Sequence, residues 1–208
     1  MPKKKLGILL SGRGSNFEAI ADNVEKGVLE AEIAIVISNV ADARGLEVAR
    51  RRNLNACFVD PRGKSREEYD REVVALLLKH KVDLICLAGY MRILSTYFIQ
   101  QFPYRILNIH PALLPAFKGL DAQKQALEYG VKITGCTVHF VDEGVDSGPI
   151  VLQSTVPVRE DDTEDLLAGR ILREEHLLYS KAIALVLQGR CRVEGRCVRV
   201  QSPSVNAR

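Results

Sequence analysis

The sequence predicts an α/β protein with a mostly parallel, doubly wound sheet and an antiparallel C-terminal part. Three observations support this class. Short apolar segments alternate with longer segments of helical period over about residues 1–130, the pattern of parallel strands joined by right-handed helical crossovers. The first apolar segment, 6–10, runs directly into a glycine turn and a helix. Beyond residue 131, two strand-like segments flank a short acidic loop, which favours an antiparallel pair.

Each element is predicted from its period and its flanking residues. Short apolar or alternating runs predict strands, and apolar residues three and four apart predict helices. The predicted strands are 6–10, 31–38, 56–59, 82–88, 106–109, 132–141, 150–156 and an edge strand at 192–200. The predicted helices are 17–26, 43–52, 65–80, 96–102, 121–129 and 163–187. We expect one domain over 1–208, with an N-terminal mononucleotide-binding half (about 1–130), a C-terminal part (about 131–200) and a frayed tail (201–208).

Composition excludes several classes of function. The 208 residues are 47% hydrophobic and 26% charged, with a net charge of +3, as in an ordinary globular enzyme. Residues 189–208 hold five arginines against one glutamate, so the rest of the chain lacks the basic excess of a nucleic-acid-binding surface. No apolar run reaches membrane-spanning length. The five cysteines have no zinc-site spacing, and their odd number favours a reducing compartment. We therefore expect a cytoplasmic protein without metal, membrane or nucleic-acid partners.

The most informative stretch is the end of the fifth strand, where Asn108 and His110 precede two prolines. Residues two apart on a strand point to the same side, and the carboxyl edge of an open α/β sheet is where ligands bind. An amide can hold a carbonyl oxygen as it becomes an oxyanion, and an imidazole can carry a proton near neutral pH. The pair suits attack on an acyl carbon. The alternative is an Asn that caps a turn beside a structural His.

The glycine turn after the first strand contains Gly12, Gly14, Ser15 and Asn16. Free N–H groups at the start of the following helix favour an anion. Since the turn lacks both the third glycine of a dinucleotide site and the Gly-Lys-Ser/Thr of a P-loop, the phosphate of a smaller ligand fits better. The alternative is a tight turn with a Ser/Asn helix cap.

Two further loops lie at the predicted carboxyl edge. The loop after the fourth strand carries Met91, Ile93 and Leu94, which either line a slot for a flat ring or seal the core. The acidic loop 142–149 offers a carboxylate partner for His110, and Asp146 is the preferred candidate because glycines flank it on both sides; Asp142 and Glu143 are the others. Such a carboxylate is expected to raise the pKa of His110 from about 6.5. The alternative is a solvated acidic turn.

The remaining three histidines are given no catalytic role. We expect His139 to be a strand residue with a structural partner, and His80 and His176 to lie on helix surfaces or edges.

Together these motifs resemble the phosphoribosylglycinamide formyltransferase family of purine synthesis. The resemblance covers about residues 6–199 and is carried by Ser11-Gly12-x-Gly14-Ser15-Asn16, Ala88-Gly89-Tyr90-Met91-Arg92-Ile93-Leu94, Asn108-Ile109-His110-Pro111-x-Leu113-Leu114-Pro115 and Val145-Asp146-x-Gly148-Pro149. It implies a Rossmann-like formyltransferase fold and transfer of a formyl group from 10-formyltetrahydrofolate, used as co-substrate, to the amine of 5-phosphoribosylglycinamide. It implies no metal, and either a monomer or a homodimer.

The resemblance also implies a role for each matched residue. Asn108, His110 and Asp146 would be catalytic, with Asn108 also touching the folate. The glycinamide substrate would contact Gly14, Ser15, Asn16 and Glu175, and the folate would contact Arg66, Met91, Arg92, Ile93 and Leu94. Arg13 occupies the variable position of the glycine turn, where it either faces the phosphate or solvent.

Two other functions fit the same motifs. In a formyltetrahydrofolate deformylase, water would replace the amine; such relatives carry an extra N-terminal domain, which is not expected here because only five residues precede the first strand. A non-catalytic protein that binds a phosphorylated metabolite is the third possibility, since fold alone does not decide function; the joint presence of His110 and Asp146 argues against it.

Overall fold

The computed structural model of the protein describes residues 2–201, which form one mixed sheet flanked by helices. The strands are β1 (Lys4–Leu10), β2 (Ala31–Ser38), β3 (Ala56–Phe58), β4 (Leu84–Leu87), β5 (Ile106–His110), β6 (Ile133–Phe140), β7 (Ile150–Pro157), β8 (Cys191–Glu194) and β9 (Cys197–Val200). The helices are α1 (Ser15–Glu25), α2 (Arg44–Arg51), α3 (Arg66–Lys79), α4 (Thr96–Gln101), α5 (Ala122–Tyr129) and α6 (Glu164–Leu187).

The sheet has the strand order β3-β2-β1-β4-β5-β6-β7-β9-β8. Neighbours from β3 to β5 are parallel, whereas β6 is antiparallel to both β5 and β7. This confirms the predicted fold class. The order reverses direction at β1, so the carboxyl ends of β1 and β4 form the crevice where open α/β sheets bind ligands.

Helices cover both faces of the sheet, which explains why the central strands are apolar on both sides. On one face Leu6, Ile8 and Leu10 of β1 pack in a core with side chains of α1, α2 and α6. On the other face Leu9 packs in a second core with side chains of α3 and α4. A Cβ at Gly7 would lie 2.5 Å from the side chain of Leu77, so a glycine is needed for α3 to approach β1.

The predicted helices match the observed ones to within about two residues, because their ends carry local signals. Helix α3 begins after Ser65, whose side chain accepts a hydrogen bond from the Glu68 amide while the Glu68 carboxylate accepts one from the Ser65 amide. This reciprocal capping pairs two amides that the helix itself leaves free. Helix α5 ends at Gly130, which has a left-handed backbone, as expected for a C-terminal glycine.

One predicted element is wrong. The sequence suggested a single edge strand at 192–200, but the chain forms a hairpin of β8 and β9 with a turn at Gly195, where φ is +61°. The turn interrupts a run whose alternation continues on both sides of it, so periodicity alone did not reveal the reversal. The predicted frayed tail lies outside the described residues, except for Gln201.

Within residues 2–201, no helix combines the length and the apolar character that crossing a membrane requires. The same residues contain no group of three or more His, Cys, Asp or Glu side chains arranged to hold a metal ion.

Candidate active site

The end of β5 brings Asn108 and His110 to one carboxylate, that of Asp146. Nδ1 of His110 lies 3.3 Å from an Asp146 oxygen, and the Asn108 amide nitrogen lies 3.4 Å from the other oxygen. Both side chains point the same way because they are two residues apart on a strand. His110 is buried, and Asn108 is half-buried.

His110 is held between two acceptors. Opposite Asp146, its Nε2 lies 2.8 Å from the Phe117 carbonyl oxygen. Only an imidazolium can donate to both partners at once. Burial nevertheless lowers the pKa of His110 below its usual 6.5, because it outweighs the opposite effects of the Phe117 carbonyl and the Asp146 carboxylate. The Asp146 carboxylate thus raises the pKa of His110 as expected, but burial outweighs it and the net shift is downward, since sequence does not reveal how deeply the ring is buried.

Asp146 is held in place by the backbone as well as by side chains. Its backbone is left-handed, with φ of +46°, and its carboxylate accepts a hydrogen bond of 2.9 Å from the Gly119 amide. Burial alone would raise the pKa of Asp146, but contacts with His139, the Gly119 amide and His110 outweigh burial and lower it. The carboxylate is therefore ionised at neutral pH.

Asp142, an acidic residue of the same loop, bonds within the loop itself. Asp142 accepts hydrogen bonds from the Ser147 hydroxyl at 2.5 Å and from the Gly144 amide at 3.2 Å. These bonds hold the loop in shape. Of the three acids proposed from sequence, Asp146 is the one that contacts His110 in the described residues.

His139 belongs to the same cluster, which the sequence analysis missed. Its predicted structural partner exists, because Nδ1 lies 2.8 Å from the Phe140 carbonyl oxygen. Its Nε2, however, lies 3.2 Å from the Asn108 amide nitrogen and 3.6 Å from Asp146. A neutral His139 that donates from Nδ1 can accept from Asn108. The antiparallel register that pairs Asn108 with His139 creates this contact, and nothing local in the sequence indicates that register.

The glycine turn forms a separate pocket of about 200 Å³ between the ends of β1 and β4. Nine residues line it: Ser11, Gly12, Arg13, Gly14, Ser15, Asn16, Ala88, Gly89 and Met91. The Ser11 hydroxyl links the loops that surround the pocket. It accepts a hydrogen bond of 2.8 Å from the Met91 amide and donates one of 2.6 Å to the Asn39 side-chain oxygen. With the start of α1 at its base, the pocket can accommodate an anion.

Asn16 links this pocket to helix α6. Its amide nitrogen donates to the Glu175 carboxylate at 2.8 Å, so two of the predicted substrate residues lie in contact. Burial raises the pKa of Glu175, and the Asn16 hydrogen bond offsets only part of this rise. The Asn16 side-chain oxygen is buried and has no partner among the described residues. An N–H or O–H donor on a ligand would satisfy it.

The loop after β4 divides its residues between two roles. Met91 and Ile93 are 68% and 55% exposed, whereas Leu94 is buried in the core beside α3 and α4. Sealing of the core therefore applies to Leu94, whereas Met91 and Ile93 remain candidates for lining a slot for a flat ring. The Arg92 guanidinium lies 4.2 Å from the centre of the Tyr69 ring, a cation–π contact. Arg66, the first residue of α3, is exposed and contacts none of the other predicted site residues through a hydrogen bond or ion pair in residues 2–201.

Comparisons with known proteins agree with this geometry. Residues 4–183 match the family model "Formyl transferase". A glycinamide ribonucleotide transformylase 1 from Symbiobacterium toebii has the same fold, with a TM-score of 0.95 and 52% identity over 96% of this chain and 95% of that one. The phosphoribosylglycinamide formyltransferase of Escherichia coli (strain K12) is 41% identical over 187 residues, covering 89% of this chain and 88% of that protein.

Some relatives are much longer. A trifunctional purine biosynthetic protein adenosine-3 from Chironomus tentans is 44% identical over 200 residues, which are 95% of this chain and 15% of that protein. The chain thus spans a small part of the trifunctional relatives that it matches. The family model and the full-length similarity to the Escherichia coli protein place this chain in the formyl transferase family, among the phosphoribosylglycinamide formyltransferases.

Proposed function

We propose that this protein transfers the formyl group of 10-formyltetrahydrofolate to the amine of 5-phosphoribosylglycinamide, a step of purine synthesis. The observation that carries the proposal is the buried contact of His110 with Asp146, next to an amide, at the sheet edge beside an anion pocket. Such a centre can stabilise an oxyanion and move a proton at one carbon.

Each residue has a defined part in this reaction. The substrate amine attacks the formyl carbon, and the carbonyl oxygen becomes an oxyanion. The Asn108 amide nitrogen donates to that oxygen by giving up its weaker contact with Asp146, at 3.4 Å, while its contact with His139 keeps the amide oriented. The bond from the formyl carbon to the folate nitrogen then breaks, and that nitrogen takes a proton from His110.

The proton on His110 has one route to the folate. Nδ1 faces Asp146, so the transferable proton is on Nε2, which the Phe117 carbonyl covers. Folate binding must therefore replace that carbonyl as the acceptor. The reaction takes one proton from the amine and gives one to the folate nitrogen, so His110 regains its proton with no net change.

The two substrates bind at the same sheet edge, where Met91 lines the phosphate pocket and also faces the folate. The phosphate of phosphoribosylglycinamide binds Gly14, Ser15 and Asn16, and its glycinamide end lies near Glu175. The folate ring lies against Met91 and Ile93, whose exposure leaves their apolar surfaces available. Leu94 supports this loop from the core, Arg92 is held on Tyr69, and the exposed Arg66 meets the acidic part of the folate.

Two further parts of the proposal concern the whole molecule. The protein acts in the cytoplasm, which agrees with the free thiols of all five cysteines. It acts as a single formyltransferase domain, either as a monomer or as a homodimer. Light scattering after size-exclusion chromatography distinguishes the two states, and a larger assembly would contradict both.

The first experiment is an absorbance assay of 10-formyl folate, with and without phosphoribosylglycinamide. We expect loss of the formyl group that depends on the amine and disappears in Asn108→Ala and His110→Ala. Loss without the amine would indicate the deformylase instead. If the formyl group is lost under neither condition but the protein still binds phosphoribosylglycinamide, the protein is a non-catalytic binding protein with this fold.

A further inference from the structure

We propose that Arg13 selects the doubly ionised phosphate of the substrate and thereby determines specificity for the phosphorylated form. The inference rests on the proposed function, because it concerns the pocket assigned there to the phosphate. It adds a residue at the variable position of the glycine turn.

The first support is the charge of the pocket. Arg13 is the one ionisable side chain among the nine residues that line it. The other donors are backbone amides, the side chains of Ser15 and Asn16, and the start of α1, which contributes roughly half a positive charge. A phosphate monoester carries nearly two negative charges above its second pKa of about 6. Without Arg13, none of the residues that line the pocket would offer a full positive charge to the two negative charges of the phosphate.

The second support is that Arg13 is uncommitted. In residues 2–201 its guanidinium makes no ion pair, hydrogen bond or cation–π contact, and its side chain is exposed. Arg52, by contrast, is held by Asp22 and Glu25. A free guanidinium can form two parallel hydrogen bonds with phosphate oxygens, and no existing ion pair has to break first.

The third support is the rigidity of the turn that carries Arg13. The Gly45 amide, at the start of α2, donates to the Gly12 carbonyl at 3.1 Å. A Cβ on Gly14 would lie 2.9 Å from the Gly45 Cα. The backbone on both sides of Arg13 is therefore fixed against α2, and the side chain starts from a defined position at the pocket.

The test compares two substrates in Arg13→Ala: phosphoribosylglycinamide and ribosylglycinamide, which lacks the phosphate. We expect kcat/KM to fall about tenfold for the first, as for the loss of one charge-assisted contact, mainly through KM. For ribosylglycinamide, kcat/KM should stay unchanged, because this substrate has no phosphate with which Arg13 could interact. Arg13→Lys keeps the positive charge but not the two parallel hydrogen bonds, so it should retain part of the preference for phosphoribosylglycinamide over ribosylglycinamide.

Arg50→Ala is the matched control. Arg50 is an exposed arginine of α2 that does not line the pocket, so its loss changes the net charge equally and should change neither kcat/KM. An equal fall for both substrates in Arg13→Ala, or no fall with either, would overturn the inference.

A binding measurement separates this inference from the proposed function. Titration calorimetry with inorganic phosphate at pH 7.5 and 5.5 needs no catalysis. We expect the wild type to prefer the higher pH, where the dianion predominates, and Arg13→Ala to lose most of this preference. If the protein transfers the formyl group but binds phosphate equally well with and without the Arg13 side chain, the inference about Arg13 falls and the proposed function stands. Arg13-dependent phosphate binding without any formyl transfer would overturn the proposed function alone.

Discussion

Nδ1 of His110 lies 3.3 Å from the Asp146 carboxylate, yet burial keeps the pKa of that imidazole below its usual value. Close attraction to a carboxylate and loss of solvent act in opposite directions on the same proton. The imidazole of His110 is therefore mostly neutral at neutral pH in the free protein, and the protonated fraction that it has depends on the Phe117 carbonyl and on the Asp146 carboxylate.

Asp146→Asn tests this dependence. Loss of the carboxylate charge should lower the pKa of His110 further, because it removes an influence that raises it. We expect kcat to fall about 10²- to 10⁴-fold, the usual contribution of general acid catalysis, and the limb of the kcat–pH profile due to His110 to move to lower pH.

Asp142→Asn is the control, since Asp142 belongs to the same loop but bonds Ser147 and Gly144. Its pH profile should keep the wild-type position. A profile that moves equally in both variants would mean that the loop, and not the Asp146 charge, governs His110.

The contribution of the buried histidines to stability should decrease as the solution becomes acidic, whereas Glu175, whose pKa burial raises, acts in the opposite direction. The pKa of His110 is lower in the folded protein than in the unfolded chain, so only the unfolded chain gains a proton as pH first falls through about 6.5. The contribution of His110 to the free energy of unfolding is fully present above about pH 6.5, and it is lost as pH falls towards the pKa of His110 in the folded protein. His176, whose pKa is also lowered by burial, acts in the same direction, and Asp146 adds its own loss below about pH 4.

Thermal unfolding between pH 8 and 5 measures this slope. In His110→Asn the slope should become shallower, with the part due to His176 remaining. A slope as steep as that of the wild type would show that His110 titrates alike in the folded and unfolded states.

Gly14 and Gly12 should respond differently to alanine. At Gly14 the backbone has φ of +79° and a Cβ would approach the Gly45 Cα to 2.9 Å, whereas at Gly12 a Cβ would meet no atom within 4 Å. We expect Gly14→Ala to lower the free energy of unfolding by about 1–3 kcal/mol and to weaken phosphate binding. Gly12→Ala should stay within about 0.5 kcal/mol of the wild type. Urea unfolding measures both, and equal losses would contradict the different surroundings of the two glycines.

Tyr179 joins two strands next to the site. Its hydroxyl, fully buried on α6, lies 3.0 Å from the Leu87 carbonyl oxygen and 2.9 Å from that of Leu107. Tyr179→Phe removes this donor from a buried position and should lower the free energy of unfolding by about 1–3 kcal/mol. Tyr129→Phe is the control, because Tyr129 is 80% exposed and should change stability by less than about 0.5 kcal/mol. Urea unfolding of the two variants decides the matter; similar values would mean that the Tyr179 hydroxyl contributes nothing.

Most helices and strands of this protein could be predicted because their sequence signals are local. The class of each segment follows from side-chain period, from caps such as Ser65 and from stops such as Gly130, all of which act within a few residues. The hairpin at Gly195 was missed because a turn between two alternating strands leaves the alternation intact. Asn108, His110 and Asp146 could be proposed from sequence as one candidate site because Asn108 and His110 share one strand and Asp146 lies between glycines in a nearby loop.

The sequence by itself determined the α/β class, the order of its elements and the chemical groups available at the carboxyl edge, since these depend on local period and on residue type. Only the tertiary structure decided the strand order, the β5–β6 register that brings His139 to Asn108, and the sign of the pKa shift of His110. These properties depend on distances between segments remote in sequence and on the water that packing removes. Neither quantity is encoded in any single stretch of the chain.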